Sequence, residues 1–302
     1  VNAKAGRPAL AVAALVGTMV LWGSLVPGIK VLLPVWEPFA ISVARFVLGA
    51  LSLVVALYLI EGKRPQIDRR VWILGLPIAL FTTFYTFGIH YSNVVGAAVT
   101  SGLGPFVTAV MSRFLYREAP PPGLWLALPI AGTGCVLAAI GGQSEIDAGF
   151  RGGELLMVFA MMCWSWFSIV SQRWLVGRSQ LALSASTMLT ASVYVVLLFL
   201  AVWVVGLVPT PTLAPPGESL GLLLFIGVVV TAGGVFLWNY GVRDLGAPMA
   251  ALHLNLVPVF AVLIAMQFGM VPTWIQLLGG GLVIIGVGQI QLRRFLALKR
   301  AG

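Results

Sequence analysis

Ten long apolar runs dominate the chain, at roughly 9–29, 36–60, 71–91, 94–115, 124–141, 154–174, 181–206, 219–241, 247–268 and 274–292. A helix rises 1.5 Å per residue, so about 20 apolar residues cover the ~30 Å hydrocarbon core of a bilayer. Each run is near that length. The runs are apolar on both parities, whereas strands of a membrane barrel alternate. A helix closes its backbone hydrogen bonds within one lipid-exposed segment, so helices are the credible choice. Only 9% of the residues are charged and 60% are hydrophobic. Soluble domains carry about 25% charge, so this chain has too little to coat a surface facing water. The expectation is an all-α integral membrane protein with ten transmembrane helices and short connections, folded as one compact bundle.

Charge tests the count. With a cytoplasmic N-terminus, ten spans put Lys4, Arg7, Lys63, Arg64, Arg69, Arg70, Arg113, Arg117, Arg173, Arg178, Arg243, Arg293, Arg294, Lys299 and Arg300 on the cytoplasmic side. That is fifteen of the eighteen basic residues, and a wrong count would scramble the split. Lys30 and Arg151 fall outside, and Arg45 falls within a span. The positive-inside rule therefore favours ten helices with both termini cytoplasmic. The outer loop 142–153 carries Glu145 and Asp147, and the other long outer loop, 207–218, is proline-rich. The net charge of +9 is spread in short clusters between apolar runs, which argues against a nucleic-acid partner. Cys135 and Cys163 lie inside apolar runs and read as buried small hydrophobes, not a disulfide framework. No cleavable signal peptide is expected, because the first apolar run is long and leads directly into further spans.

The two halves of the chain match. FGIHYSNVVGAAVTSGLGPF from Phe87 lies without gaps over YGVRDLGAPMAALHLNLVPVF from Tyr240, pairing Gly88 with Gly241, Leu103 with Leu256 and Pro105 with Pro258. Shorter matches flank it in shifted registers. MVLW ending at Trp22 lies over MMCW ending at Trp164, and Trp125 with Gly132 lies over Trp274 with Gly281. An odd number of helices per half inverts the second half in the membrane. Inverted repeats are typical of secondary transporters, with the substrate site at the repeat interface near the midplane. The expected units are 1–143 and 144–302, two five-helix repeats in one membrane domain.

Pro105 and Pro258 fall near the middle of their runs. A mid-helix proline removes one backbone hydrogen bond and clashes with the carbonyl four residues earlier, here Ser101 and Leu254. A static kink is the plain reading of either one. Two breaks at matched positions of a duplicated pair suggest hinges flanking a central cavity.

Several of these residues resemble the drug/metabolite transporter superfamily, specifically its EamA-type members. They are Trp22-Gly23-Ser24 in the first span, Arg45 in the second, and the Ala-rich runs to Pro105 and to Pro258. Glu118 fits an acid that often closes the fourth helix of the family, whereas the second half has Val271 in that register. Trp22, Ser24, Trp164 and Trp238-Asn239 resemble bacterial aromatic amino-acid exporters of that group. The resemblance implies a ten-helix bundle of two inverted five-helix repeats in the bacterial inner membrane. It also implies a central cavity walled mainly by the first, third, fourth, sixth, eighth and ninth spans, working by alternating access.

The nine acids sit in loops or at helix ends, so no carboxylate is expected at mid-membrane. Proton-driven exporters of organic cations usually place one there. Phosphorylated substrates call for paired Lys or Arg in the cavity, and only Arg45 is within a span. Arg45 itself reads first as structural, bonding carbonyls or reaching to the interface. There is no GxxxxGK[ST], so neither ATP hydrolysis nor an ATPase partner is implied. An intramembrane enzyme would need a nucleophile with its base, or a metal cluster. The chain has no GxSxG and no HExxH, and its two histidines, His90 and His253, have no buried carboxylate to orient them. No cofactor and no metal is expected.

The lining is expected to be aromatic. Tryptophan and tyrosine are enriched at membrane interfaces, and Trp166 and Tyr240 suit that belt equally well. For Trp22, Tyr85, Trp164 and Trp238 the repeat register favours the cavity. Ser24, Thr100, Asn239 and His253 could meet a polar group of the solute, with His90, near the end of its span, a weaker choice. His253 and Asn255 are two residues apart, so a regular helix cannot aim both inward, and His253 is preferred. Such a lining suits a neutral or zwitterionic small molecule with an apolar body. The expected function is export of aromatic or other apolar amino acids and related metabolites, with other drug or metabolite substrates as the alternative.

Overall fold

The computed structural model describes residues 8–92, 94–120, 123–141, 149–210, 217–269 and 271–301. Lys4, Arg7, Glu145, Asp147 and residues 211–216 of the proline-rich stretch lie outside the described residues. The described chain is helical apart from its connections, with no strand among the described residues. In order it forms α1 (Pro8–Leu32), α2 (Pro38–Glu61), α3 (Arg69–Tyr91), α4 (Val94–Gly102), α5 (Gly104–Tyr116), α6 (Leu124–Ile140), α7 (Gly153–Trp174) and α8 (Gln180–Val204). There follow α9 (Gly217–Leu224), a π-helical stretch (Phe225–Gly233), α10 (Gly234–Leu245), α11 (Ala247–Leu252), a 3-10 turn (His253–Leu256), α12 (Val257–Met266) and α13 (Trp274–Ala301).

Among the described residues, eight segments are long and apolar enough to cross a membrane. The two remaining apolar runs are shorter as helices. Run 94–115 is split into α4 and α5 around Leu103, and α6 has 17 residues. Side chains at the outer surface fit a lipid solvent. Leu59 and Ile60 are 75% exposed and Phe114 is 82% exposed, which water would penalise and acyl chains do not.

Local sequence sets the helix ends. Glu37, Asp68 and Ser179 each accept a hydrogen bond from the backbone N–H three residues on, so α2, α3 and α8 start with a satisfied donor. Pro38 follows Glu37 at the first helical position, and Gly62 closes α2 with φ +64°.

In lipid the apolar effect does not drive helices together, so close backbone approach must hold them. Small residues supply it here. In α3 the buried positions Val71, Leu74, Gly75, Ile78, Ala79, Thr82 and Thr83 form one stripe at helical spacing. Gly75 lies against Thr190 of α8, and Gly88 against Met157 of α7. α6 crosses α13 with almost no side chain between them. A Cβ on Gly134 would sit 2.6 Å from the Gly279 carbonyl, and Gly286 is equally close to Ala131. The other extensive contacts pair α3 with α7 and α8, α2 with α8 and the π-helical stretch, and α1 with α10 and α12.

The described basic loops meet at one end of the bundle. Arg178 bonds the Gln66 carbonyl at 2.8 Å and Asp68 at 2.6 Å. Arg70 bonds the Trp174 carbonyl at 3.2 Å, and Arg173 pairs with Glu118, which also accepts from Ser112. Both cysteines are free and buried, as expected. Glu154 sits at a helix end, as expected for the acids. α7 begins at Gly153, so Glu154 falls in the first turn and is buried, with one oxygen accepting from the Arg151 N–H at 3.3 Å.

Candidate functional site

Four of the residues singled out by sequence come together where α1, α3, α7 and α10 meet. The rings of Trp22 and Trp164 are 5.6 Å apart at a steep angle of 71°. Trp238 completes a triangle, 5.6 Å from Trp22 and 5.7 Å from Trp164. Phe81 lies 5.1 Å from Trp164 and 5.4 Å from Tyr85, and Phe167 lies 5.5 Å from Trp164. These separations are in the range where ring quadrupoles attract.

Backbone choices make the cluster possible. Gly234 is one turn before Trp238, and the Trp22 indole lies directly on it, so any side chain there would displace the ring. Trp238 is 1% exposed and its Nε1 donates to the Ser168 hydroxyl at 3.1 Å. Ser168 donates in turn to the Trp164 carbonyl at 2.8 Å. The indole N–H of Trp164 is buried and has no hydrogen-bond partner. A buried donor without a partner costs stability unless something satisfies it. The cluster therefore packs flat apolar rings around one unpartnered indole N–H.

Tyr85 extends the cluster toward α4, with its hydroxyl 3.4 Å from Ser101. Thr100 and Ser24 are occupied locally, donating to the carbonyls of Gly96 at 2.7 Å and Leu21 at 2.7 Å. Pro105 and Pro258 sit in the first turns of α5 and α12, immediately after the breaks at Leu103 and at the 3-10 turn.

Three of the residues lie apart from the cluster. Asn239 is fully buried and donates to Ser184 of α8 at 2.9 Å, while its backbone carbonyl accepts from Gln172 at 3.2 Å. His90 is exposed at the end of α3, its ring against Tyr91. His253 turns toward α13. Its Nδ1 is 2.9 Å from the Met249 carbonyl, so this nitrogen donates, and Nε2 accepts from the Gln291 amide at 3.1 Å. A groove of about 260 Å³ lined by Val12, Val16, Leu256, Val287 and Gln291 opens beside it. Trp166 packs on Trp174, and Tyr240 stacks on Arg243.

Sequence reasoning missed Phe81, Phe167 and Ser168. Phe81 is four residues before Tyr85, and Ser168 four after Trp164, so helical spacing would have placed each on a face already chosen. Among the described residues no group of three or more His, Cys, Asp or Glu could hold a metal ion.

A family model described as the EamA-like transporter family matches residues 9–140 and 151–290. An uncharacterized transporter of Bacillus subtilis, YyaM, is 26% identical over 83% of this chain and 84% of its own length. A probable terminal-alkyne amino-acid exporter of Streptantibioticus cattleyicolor is 25% identical over 96% of both chains. One solved crystal structure superposes with a TM-score of 0.79 at 19% identity, covering 94% of this chain and 98% of the other, a likeness of fold.

Proposed function

The chain belongs to the EamA-like transporter family, and on that premise we propose that it is a secondary transporter exporting aromatic or other apolar amino acids. Related neutral or zwitterionic metabolites fall in the same class. The observation that carries the reading is the cluster of Trp22, Trp164, Trp238, Phe81 and Tyr85 at the meeting of four helices. Flat rings take an apolar body, and no acid within the cluster selects for a cation. The printed description of the Streptantibioticus relative as an amino-acid exporter supports the same class.

In this reading the chain is two inverted five-segment repeats, 1–143 and 144–302, in a bacterial inner membrane with both termini cytoplasmic. α4–α5 act together as the fourth segment, and α11–α12 with their 3-10 turn as the ninth. Several contacts support the inversion, because they recur with the halves exchanged. Trp22 and Trp164 match in register and touch each other. Phe81 on Trp164 answers Gly234 on Trp22, and Gly88 on Met157 answers Gly241 on Leu15. The 2.7 Å hydrogen bond between Thr108 and Ser165 answers the contact of Ala261 with Gly23. In the Trp125/Trp274 register Gly134 corresponds to Val283, and those two meet at the crossing of α6 and α13. Equivalent residues touching across an inverted pair are what a two-fold axis in the membrane plane requires. Pro105 and Pro258 then serve as hinges for alternating access, and Ser24 and Thr100 border the path. Asn239 and His253 hold helices together in this conformation.

Purified protein in liposomes preloaded with phenylalanine or tryptophan should exchange it for labelled solute outside. Absence of flux for every amino acid tested, with folded protein in the bilayer, would falsify the reading.

A further inference from the structure

Arg45 lies about 10 Å along α2 from Pro38 at 1.5 Å per residue, well inside the segment Phe39–Glu61 that is long and apolar enough to cross a membrane. The plain expectation for it was to reach to the interface or to bond carbonyls. The structure gives it no such bond. Its Nε is buried without a hydrogen-bond partner, and its contact among the described residues is the ring of neighbouring Phe46, 5.0 Å away. The ion pairs among the described residues leave it out. A guanidinium keeps its charge and carries five donors in a planar fork, so leaving it unmatched in a membrane is expensive.

The surroundings point to what matches it. Gly49 follows Arg45 by one turn on the same face of α2. A Cβ on Gly49 would sit 3.2 Å from the Gly227 carbonyl and 3.2 Å from the Thr231 methyl, so this face is applied to the π-helical stretch. π-helical turns inside α-helices are frequent at functional sites. That stretch, FIGVVVTAG, contains no acid to pair with Arg45. Seven residues further along the same helix path lies Gly234, on which Trp22 rests. Gly49 of α2 and Trp22 of α1 thus pack on one helix path seven residues apart, so the Arg45-bearing face and the tryptophan cluster adjoin the same stretch.

We propose that Arg45 is the recognition group for the carboxylate of the transported solute, with the ring of that solute on the Trp22–Trp164–Trp238 cluster. The fork of a guanidinium and the two oxygens of a carboxylate fit each other in a bidentate pair. The proposal rests on the amino-acid reading above and adds the group that separates an acid from its neutral analogue.

The test is exchange in liposomes of labelled phenylalanine and labelled phenylalaninamide, by wild type, Arg45→Gln and Arg45→Lys. Wild type should favour the acid at least about tenfold, the scale of one charge-assisted hydrogen bond. Arg45→Gln should bring the acid-to-amide ratio close to one while amide flux persists, and Arg45→Lys should fall between. An unchanged ratio in Arg45→Gln would overturn the assignment. That result covers a structural arginine, which lowers both fluxes equally, and one paired with a lipid phosphate. If Arg45→Gln does not fold, the same ratio in Arg45→Lys decides, because lysine keeps the charge and loses the fork. Wild type moving neither these solutes nor any other amino acid tested would overturn the amino-acid reading and this assignment together, whereas wild-type flux with an unchanged ratio overturns the assignment alone.

Discussion

α11 and α12 are consecutive pieces of one membrane segment, separated by four residues of 3-10 turn, and they live in different surroundings. All six residues of α11 are buried and none of the ten residues of α12 is. Their partners differ in the same way. α11 packs mainly on α5, beyond the break at Leu103, while α4, before that break, packs mainly on α6 and α7. The two broken segments therefore pack on each other at the basic end, and have mainly other partners at the opposite one. Under the alternating-access reading proposed above, one break per segment is what would let one end open while the other stays shut.

Substitutions that treat the two ends alike should bring out this contrast. The largest expected effect is at Trp238, in α10 immediately before α11. Trp238→Ala should cost about 3–5 kcal/mol of stability, since it empties a buried site and strips Ser168 of its donor. In the repeat register proposed above its counterpart is Tyr85, which is half-buried, and Tyr85→Ala should cost less in the same thermal-melt series. Equal losses would mean that the two ends are equally packed. Next comes overpacking. Ala250 is 0% exposed, and Ala250→Leu should cost about 1–3 kcal/mol. Ala265→Leu in α12 should stay within about 0.5 kcal/mol, and a comparable loss there would remove the contrast.

The smallest effect concerns the polar contacts of the basic end. Burial raises the Asp68 carboxyl, but the Val71 N–H and the Arg178 guanidinium outweigh it, and the group ends below the ordinary carboxylate value. A lowered folded value stabilises fully above the unfolded value of about 3.9. That contribution disappears as pH falls through the lower folded value. Asp68→Asn should therefore flatten the acid limb of the stability profile, by less than about 1 kcal/mol because the pair is exposed. A profile identical to wild type would mean that the Arg178–Asp68 contact adds nothing to the closed end.

Much of this arrangement was legible in the residues. Eight of the ten span positions followed from run length. The meeting of the basic loops followed from the charge split, and Trp22, Tyr85, Trp164 and Trp238 from the repeat. Those signals are local or periodic, so a single chain displays them. What stayed hidden depends on partners across helices. Ser184 as the partner of Asn239, and Gln291 as the partner of His253, are distant in sequence and carry no spacing that announces them. The preference for His253 over Asn255 assumed a regular helix. A 3-10 turn occupies that position, and His253 swings to α13. The π-helical stretch was invisible for a different reason. Nothing in the composition of FIGVVVTAG distinguishes it from the α-helical runs around it.

That stretch controls a phase. A π-helix closes each hydrogen bond one residue later than an α-helix, and one residue of α-helix is ~100° of turn. If Phe225–Gly233 wound as an ordinary α-helix, every residue after it would be rotated about the axis. Trp238 would leave the Trp22–Trp164 pair, and Asn239 would leave Ser184. Nine residues outside the aromatic cluster thus decide which way Trp238 and Asn239 point. A single deletion among them would act like turning a key, moving the tryptophan without altering its identity.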